Sequence, residues 1–226
     1  MKTMILAAGV GERMRPLTNR TPKPLLRVGG VPLIEYHLRR LAGEGLREVI
    51  INVSHLAEQV TQYCGDGSRW GLSIAYSHEA TPLETAGGIL HARALLGDAP
   101  FLVLNGDVFS DYPPGRLRAC HLRSNEAARL VLVDNPPQHP QGDFQLDDEG
   151  WVRVRPTEEN GLTYAGIGLY SWALFAGERP GRRPLRPLLD RAIASGALGG
   201  EYYAGRWEDV GTPARLEALD AQAAGE

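Results

Sequence analysis

Apolar residues come in short continuous runs along the first half of the chain, separated by stretches in which they recur every three or four positions. "TMILA" near the start reads as a buried strand. "PLIEYHLRRLAGEG" has a helical period, with Pro32 near its start, Leu33, Ile34, Leu38 and Leu41 on one face, and Gly45 past its end. "EVIINV" is the next strand and "SHLAEQVTQYC" the next helix, with Ser54 as its expected N-cap. "LSIAYS" (strand), "TAGGILHARALL" (helix) and "FLVLNGD" (strand) continue the alternation. Such a run predicts an α/β fold: an open, Rossmann-like, mainly parallel sheet with helices on both faces. After Asp107 the pattern loosens. "RLVLVD", "FQL", "WVRV" and "LTYAGIGLYS" are strand candidates between polar, proline-containing loops, and they predict a mixed edge or a small added lobe. Helical periods return at "LRPLLDRAIASG" and "PARLEALDAQAA". No linker or repeat divides the 226 residues, so one domain, 1–226, is expected.

Composition narrows the partners. Hydrophobic residues make up 43% and charged residues 23% of the chain, and the net charge is −3. No basic field points to nucleic acid or to an anionic membrane. No apolar run approaches the ~20 residues of a membrane span, and the start, "MKTMILAAG", is a poor signal peptide. The two cysteines, Cys64 and Cys120, make no disulfide framework and no zinc spacing. A cytoplasmic setting is the expectation.

Candidate chemistry begins at "LAAGVGERMRPLTNRTPKPL". A strand flowing into a glycine-rich turn suits phosphate. A dinucleotide fingerprint fails here because Met14 stands where the third glycine belongs, and a Walker A loop fails on spacing. What remains is a loop with backbone donors, Arg13 and Arg15 inside it, and Lys23 between Pro22 and Pro24 in a stiff extended segment. Successive N–H groups with fixed cations suit a polyphosphate. A surface turn with solvated arginines explains a lone Gly-x-Gly equally well, and the rigid mount of Lys23 favours phosphate.

"AAGVGERMRPLT" followed by "TPKPL" resembles the signature of the sugar-1-phosphate nucleotidyltransferases. The resemblance implies a nucleoside triphosphate in the loop, held by Ala8, Gly9, Gly11 and Glu12, with Arg13 on its pyrophosphate and Lys23 at the reacting phosphates. Asp107 follows the buried strand "FLVLN", where α/β sheets bind ligands, although taken alone Asn105-Gly106-Asp107 reads better as a structural turn. Asp209 lies in "RWEDVGT", a short strand that sends Glu208 to the other face. Both stretches resemble the family's metal motifs, which implies Mg²⁺ ligands at Asp107 and Asp209. The family's base-binding segment corresponds to Glu79 through Gly88, where Gly87 and Gly88 open a predicted helix and would let a planar base lie against the backbone. The six histidines have no zinc spacing.

Further stretches, among them "GDGSRWGLSIAYS", "LLGDAPFLVLNGDVFSDY" and "QGDFQL", are similar to the N-acetylmuramate α-1-phosphate uridylyltransferases of cell-wall recycling. The resemblance implies UTP and a sugar 1-phosphate as small-molecule substrates. It places the nucleotide mainly in residues 1–110 and the sugar mainly in residues 111–226, with contacts from Asn105, Gly142, Asp143 and Gly166. Many nucleotidyltransferases carry Glu-Lys-Pro before the "AGI" strand. This chain reads "VRVRPTEENGLTYAGIG", which leaves Glu158 as the candidate sugar contact there. Arg155 and Arg206 are alternatives for the muramyl carboxylate or are simply solvated. No hexapeptide repeat follows within the 226 residues, which disfavours the two-domain uridylyltransferases that also acetylate their sugar. The sequence leaves the oligomeric state open, with a monomer favoured over an oligomer. Rival readings keep the reaction with another base and sugar, or make the chain a non-catalytic sensor.

Overall fold

The computed structural model describes residues 1–223. The chain runs β1 (Thr3–Leu6), β2 (Arg27–Val28), β3 (Val31–Pro32), α1 (Leu33–Gly43), β4 (Glu48–Val53), α2 (Ala57–Cys64), β5 (Ser73–His78), α3 (Glu84–His91), α4 (Arg93–Leu96) and β6 (Phe101–Asn105). It continues through β7 (Val108–Ser110), α5 (Gly115–Ala119), β8 (Ala128–Val133), β9 (Phe144–Leu146), β10 (Val152–Val154), β11 (Thr163–Tyr170), α6 (Arg186–Ala194), β12 (Leu198–Tyr202), β13 (Trp207–Asp209) and α7 (Pro213–Ala223). The seven-stranded sheet has the order β12-β8-β11-β6-β1-β4-β5. Within it β11 is antiparallel to both of its neighbours, and the other pairings are parallel. The fold is the open, mixed, mainly parallel α/β sheet that the hydrophobic pattern predicts. Among the described residues no helix is long and apolar enough to cross a membrane.

Strand periodicity decides what each face buries. Met4, Ile50 and Val103 point to one side, against Ile89 of α3 and Leu188 and Leu189 of α6. Their neighbours Ile5, Ile51 and Leu104 point to the other, against Leu38 and Leu41 of α1, Val60 of α2 and Leu117 of α5. Both faces of a parallel sheet are thereby covered, which is why these strands read as unbroken apolar runs. Phe144 of β9 and Val152 of β10 join the first cluster. The antiparallel β9–β10 pair therefore packs on the main core.

Several local expectations need correction. Helix α2 starts at Ala57 behind Leu56, which takes a left-handed φ of 52°, and no side chain caps it, so Ser54 is not the N-cap. "TAGGILHARALL" forms two helices that break at Ala92. The sequence pattern also misses β12, because "LGGEY" carries two glycines. A Cβ on Gly199 would collide with the Glu126 carboxylate, and one on Gly200 would stand 2.8 Å from Val152 Cγ2. Glycine is required there by close packing, and it removes the β-branched signal of a strand.

His37, on α1, is 7% exposed. Burial, reinforced by the neighbouring Arg40, lowers its pKa to about 4. Its folded pKa lies below the unfolded value near ~6.5, so an unfolded chain takes up a proton that the native state refuses. The stability contribution is complete above about pH 6.5 and is lost as pH falls towards 4, up to about 3 kcal/mol. Denaturant melts between pH 7.5 and 4.5 should show this loss, and His37→Gln should flatten the slope. An unchanged slope in the variant would show that His37 is not the group responsible.

Candidate active site

The carboxyl ends of β1, β4, β5 and β6 meet at one edge of the sheet, the position at which open α/β sheets take their ligands. A cleft of about 620 Å³ lies there, walled by Ala7, Ala8, Gly9, Lys23, Glu79, Asn105 and Asp107 among others. A buried polar bridge ties its wall together. The Ala7 N–H donates to Asn52 Oδ1 at 2.7 Å, and Asn52 Nδ2 donates to Glu79 Oε1 at 2.7 Å. Glu79 Oε2 in turn accepts from the Leu83 N–H at 2.9 Å.

The glycine-rich loop forms a 3-10 turn over Glu12–Met14 where a Rossmann loop would begin its α-helix. Met14 is fully buried with Val28, Leu33, Val210, Leu216 and Leu219, in a small core shared with α7. This residue, which breaks the dinucleotide fingerprint, is an anchor for the loop. Gly11 has φ +68°, and a Cβ there would meet Thr18 Cγ2 at 2.8 Å. Thr18 Oγ1 donates to the Gly11 carbonyl at 2.8 Å. Lys23 opens a third 3-10 turn, Lys23–Leu25, after one at Leu17–Asn19, and the extended residues are Pro22 before it and Leu26 after it, so the expected stiff extended segment is corrected to a turn. The Lys23 side chain is 11% exposed, and its Nζ donates to Asp107 Oδ2.

Asp107 and Asp209 meet through backbone pairing. β13 lies antiparallel to β7 with Asp209 opposite Val108, and the Val210 N–H donates to the Asp107 carbonyl at 3.1 Å. Both carboxylates line a second cavity of about 270 Å³, together with Arg13, Asn105 and Gly166. Asp209 Oδ2 accepts from Arg215 Nη1 at 2.7 Å. A third cavity, of about 490 Å³, includes Asn105, Asp143, Phe144 and Tyr164. Asn105 is the wall common to all three. Gly166, at φ +71° in the irregular part of β11, lies so close to it that a Cβ would stand 2.6 Å from Asn105 Nδ2.

The other residues read from the sequence divide. Ala8, Gly9, Lys23, Glu79, Asn105, Asp107, Asp143, Gly166, Asp209 and Arg13 line these cavities, with Arg13 on the Asp209 side and not on the cleft. Gly11 shapes the loop from behind, and Glu12 is exposed and lines none of the three. The structure gives Gly87 and Gly88 a different use from seating a base. A Cβ on Gly87 would run into the backbone of residues 181–183, and one on Gly88 would stand 2.7 Å from Glu79 Oε1 and 2.9 Å from Asn52 Nδ2. Both glycines are buried. Gly88 thus reaches the site by making room for the pair that does line the cleft. Gly142, buried at φ +70°, serves the packing of residues 161–162. Glu158 is exposed and lines none of these cavities. Arg155 is tied to the carbonyls of Pro156 and Glu159.

Asn52 was missed. The available signal was a polar residue at the carboxyl end of the apolar run "EVIIN", the same signal that found Asp107. Arg215 gave none, because "PARLEAL" is an ordinary helix start.

Residues 2–224 match the Nucleotidyl transferase family. The chain belongs to that family. It is 48% identical to the N-acetylmuramate alpha-1-phosphate uridylyltransferase of Neisseria meningitidis serogroup B, over 99% of this chain and 98% of the relative. It is 34% identical to the enzyme of the same name from Caulobacter vibrioides, over 98% and 96%. A crystal structure of a Bacillus anthracis protein in complex with sucrose superposes with a TM-score of 0.87 at 23% identity, covering 100% of this chain and 96% of that one.

Nucleotidyltransferases of this family generally use a divalent metal ion. The donor set suits one. Asp107 and Asp209 each engage Oδ2 with a cation, and the remaining oxygen of each has no partner among the described residues. No group of three or more His, Cys, Asp or Glu is gathered for a metal among the described residues. Two carboxylates completed by phosphate oxygens and water match a small hard cation.

Asn52→Leu tests the polar bridge. Removing the amide leaves the Ala7 N–H and Glu79 Oε1 without their partner in a buried setting, at a cost of about 1–3 kcal/mol per group. Denaturant unfolding should show that loss, and nucleoside triphosphate binding should weaken. Unaltered stability would mean that water or a neighbour replaces the amide.

Proposed function

We propose that the chain transfers UMP from UTP to N-acetylmuramic acid α-1-phosphate, forming UDP-N-acetylmuramic acid and pyrophosphate, in the cytoplasmic recycling of peptidoglycan. The observation that carries this reading is the 48% identity with the Neisseria uridylyltransferase over almost the whole of both chains. The geometry supports it, with a cleft large enough for a nucleotide, an adjoining acceptor region, and charged groups of both signs between them.

UTP occupies the cleft, its base towards Ala8 and Glu79 and its phosphates along Gly9 towards Lys23. The acceptor brings its own nucleophile. A phosphate monoester has a second pKa near ~6 and is largely ionised at neutral pH, so no general base is needed. An acceptor phosphate oxygen attacks the α-phosphorus in line, the bond to the β-phosphate oxygen breaks, and pyrophosphate leaves with that electron pair. No covalent enzyme intermediate forms. Lys23 compensates charge on the reacting phosphates, and Arg13 holds negative charge on the Asp209 side. Mg²⁺, held by Asp107 and Asp209, would screen the two polyanions and polarise the transferred phosphoryl group. Gly166, packed on Asn105, keeps that side chain at the junction of donor and acceptor.

Pyrophosphate release should be followed with each of UTP, GTP, dTTP and CTP against N-acetylmuramic acid, N-acetylglucosamine, mannose and glucose 1-phosphates. UTP with the muramate acceptor is expected to give the highest kcat/KM, and preference for GTP with mannose 1-phosphate would overturn the assignment. Asp107→Asn should lower turnover by roughly two to four orders of magnitude with the fold retained by circular dichroism. Chelation should abolish activity and added Mg²⁺ should restore it. Turnover that survives chelation would remove the metal from the scheme.

A further inference from the structure

The third cavity, of about 490 Å³, adjoins the nucleotide cleft and shares Glu84, Thr85 and Asn105 with it. Its walls combine an apolar surface, made by Phe144, Leu185 and Leu189, with a single cation, Arg186. The two carboxylates on its lining are already matched. Glu84 pairs with Arg182 at 2.8 Å. Asp143 accepts from the Tyr164 N–H at 2.9 Å and lies 3.1 Å from His139 Nε2.

Arg186 is held in a defined pose. Its Nε donates to Asp190 Oδ1 at 2.7 Å, one turn along α6, and its guanidinium carbon sits over the Phe144 ring at 4.7 Å. These contacts fix the guanidinium plane and leave its two terminal nitrogens without a partner among the described residues. A planar fork already oriented by a carboxylate and an aromatic face is prepared for bidentate binding of a second carboxylate. The segment that carries it is itself clamped to the start of α3. The Arg183 N–H donates to the Leu83 carbonyl at 2.9 Å, and the Gly87 N–H donates to the Arg183 carbonyl at 3.1 Å. That approach is possible only because Gly87 has no Cβ.

We propose that Arg186 is the residue that selects an acceptor sugar bearing a carboxylate, gripping that carboxylate while Phe144, Leu185 and Leu189 take the adjoining alkyl carbon. On the uridylyltransferase reading, on which this inference rests, the group is the lactyl ether, a methyl-bearing carbon next to a carboxylate. The ether is the whole chemical difference between N-acetylmuramic acid and N-acetylglucosamine. Arg13 and Arg182 do not line this cavity, so the discrimination falls to one side chain.

The test compares the full chain and two variants with UTP and two acceptors, N-acetylmuramic acid 1-phosphate and N-acetylglucosamine 1-phosphate. Arg186→Gln is expected to raise KM for the muramate acceptor by roughly 10- to 100-fold, with kcat changed by less than about threefold. The ratio of kcat/KM between the two acceptors should fall by a similar factor. Arg186→Lys, which keeps the charge and loses the fork, should fall between wild type and Arg186→Gln. Equal losses on both acceptors would indicate a structural role and overturn the proposal, as would an unchanged ratio. If wild type prefers the muramate acceptor and Arg186→Gln keeps that preference, the carboxylate site alone is wrong. If wild type does not use the muramate acceptor, the underlying reading fails and takes the site with it.

Discussion

At Gly106 the chain passes so close to the end of β1 that a Cβ would stand 2.6 Å from the Leu6 carbonyl oxygen, and the Gly106 N–H donates to that same oxygen at 2.9 Å. The parallel pairing of β1 with β6 runs up to this point, with Leu6 opposite Asn105. A side chain at 106 would lift the turn away and move everything that follows it. Asp107 would leave Lys23, β7 would shift, and β13, which pairs with β7, would carry Asp209 off with it. Asn105 would also lose its seat against Gly166. Contacts between residues remote in sequence therefore hang on one backbone approach that only glycine permits.

The rigidity of the site comes from polar groups that are buried and paired, and from small hydrophobic anchors outside the sheet. Loops rich in glycine and arginine are ordinarily mobile. Here the loop after β1 is pinned by Met14 in a core with α7, by Thr18 on the Gly11 carbonyl, and by His55 Nε2, 3.0 Å from the Thr18 carbonyl oxygen. The Asn52–Glu79 bridge connects that loop with the segment before α3. Contacts of this kind hold charged groups in position before two polyanions are brought in line.

The α/β sheet was legible because burial on both faces of parallel strands leaves continuous apolar runs, as in "EVIINV" and "FLVLN". Lys23 was legible because a lysine between prolines lacks an easy structural explanation, and Asp107 because it stands past the carboxyl end of such a run in a stretch that resembles a metal motif, although alone it reads as a turn. What failed to show depends on long-range approach. The glycines of β12 hide a strand because Glu126 must fit against Gly199 and Val152 against Gly200. Gly87 and Gly88 look like a platform for a ligand, and their space is filled by the 181–183 backbone and by Glu79 with Asn52. Arg186 reads as an ordinary helix residue, since neither Phe144 beneath it nor the cavity beside it is close in sequence. Local pattern reports what a residue needs from its neighbours along the chain, and these residues answer to neighbours across the fold.

The pairing of Lys23 with Asp107, and of Arg215 with Asp209, has a consequence for how the site fills. Both carboxylates already have a counter-ion built into the chain. A cation arriving alone finds an open oxygen on each carboxylate but a charge already balanced by a lysine or an arginine, and a polyphosphate arriving alone must compete with a carboxylate for Lys23. When both arrive together, the four protein charges exchange partners without any being stranded. The site therefore behaves as an ion exchanger that takes up cation and anion as a matched set, and this disfavours loading by either one alone.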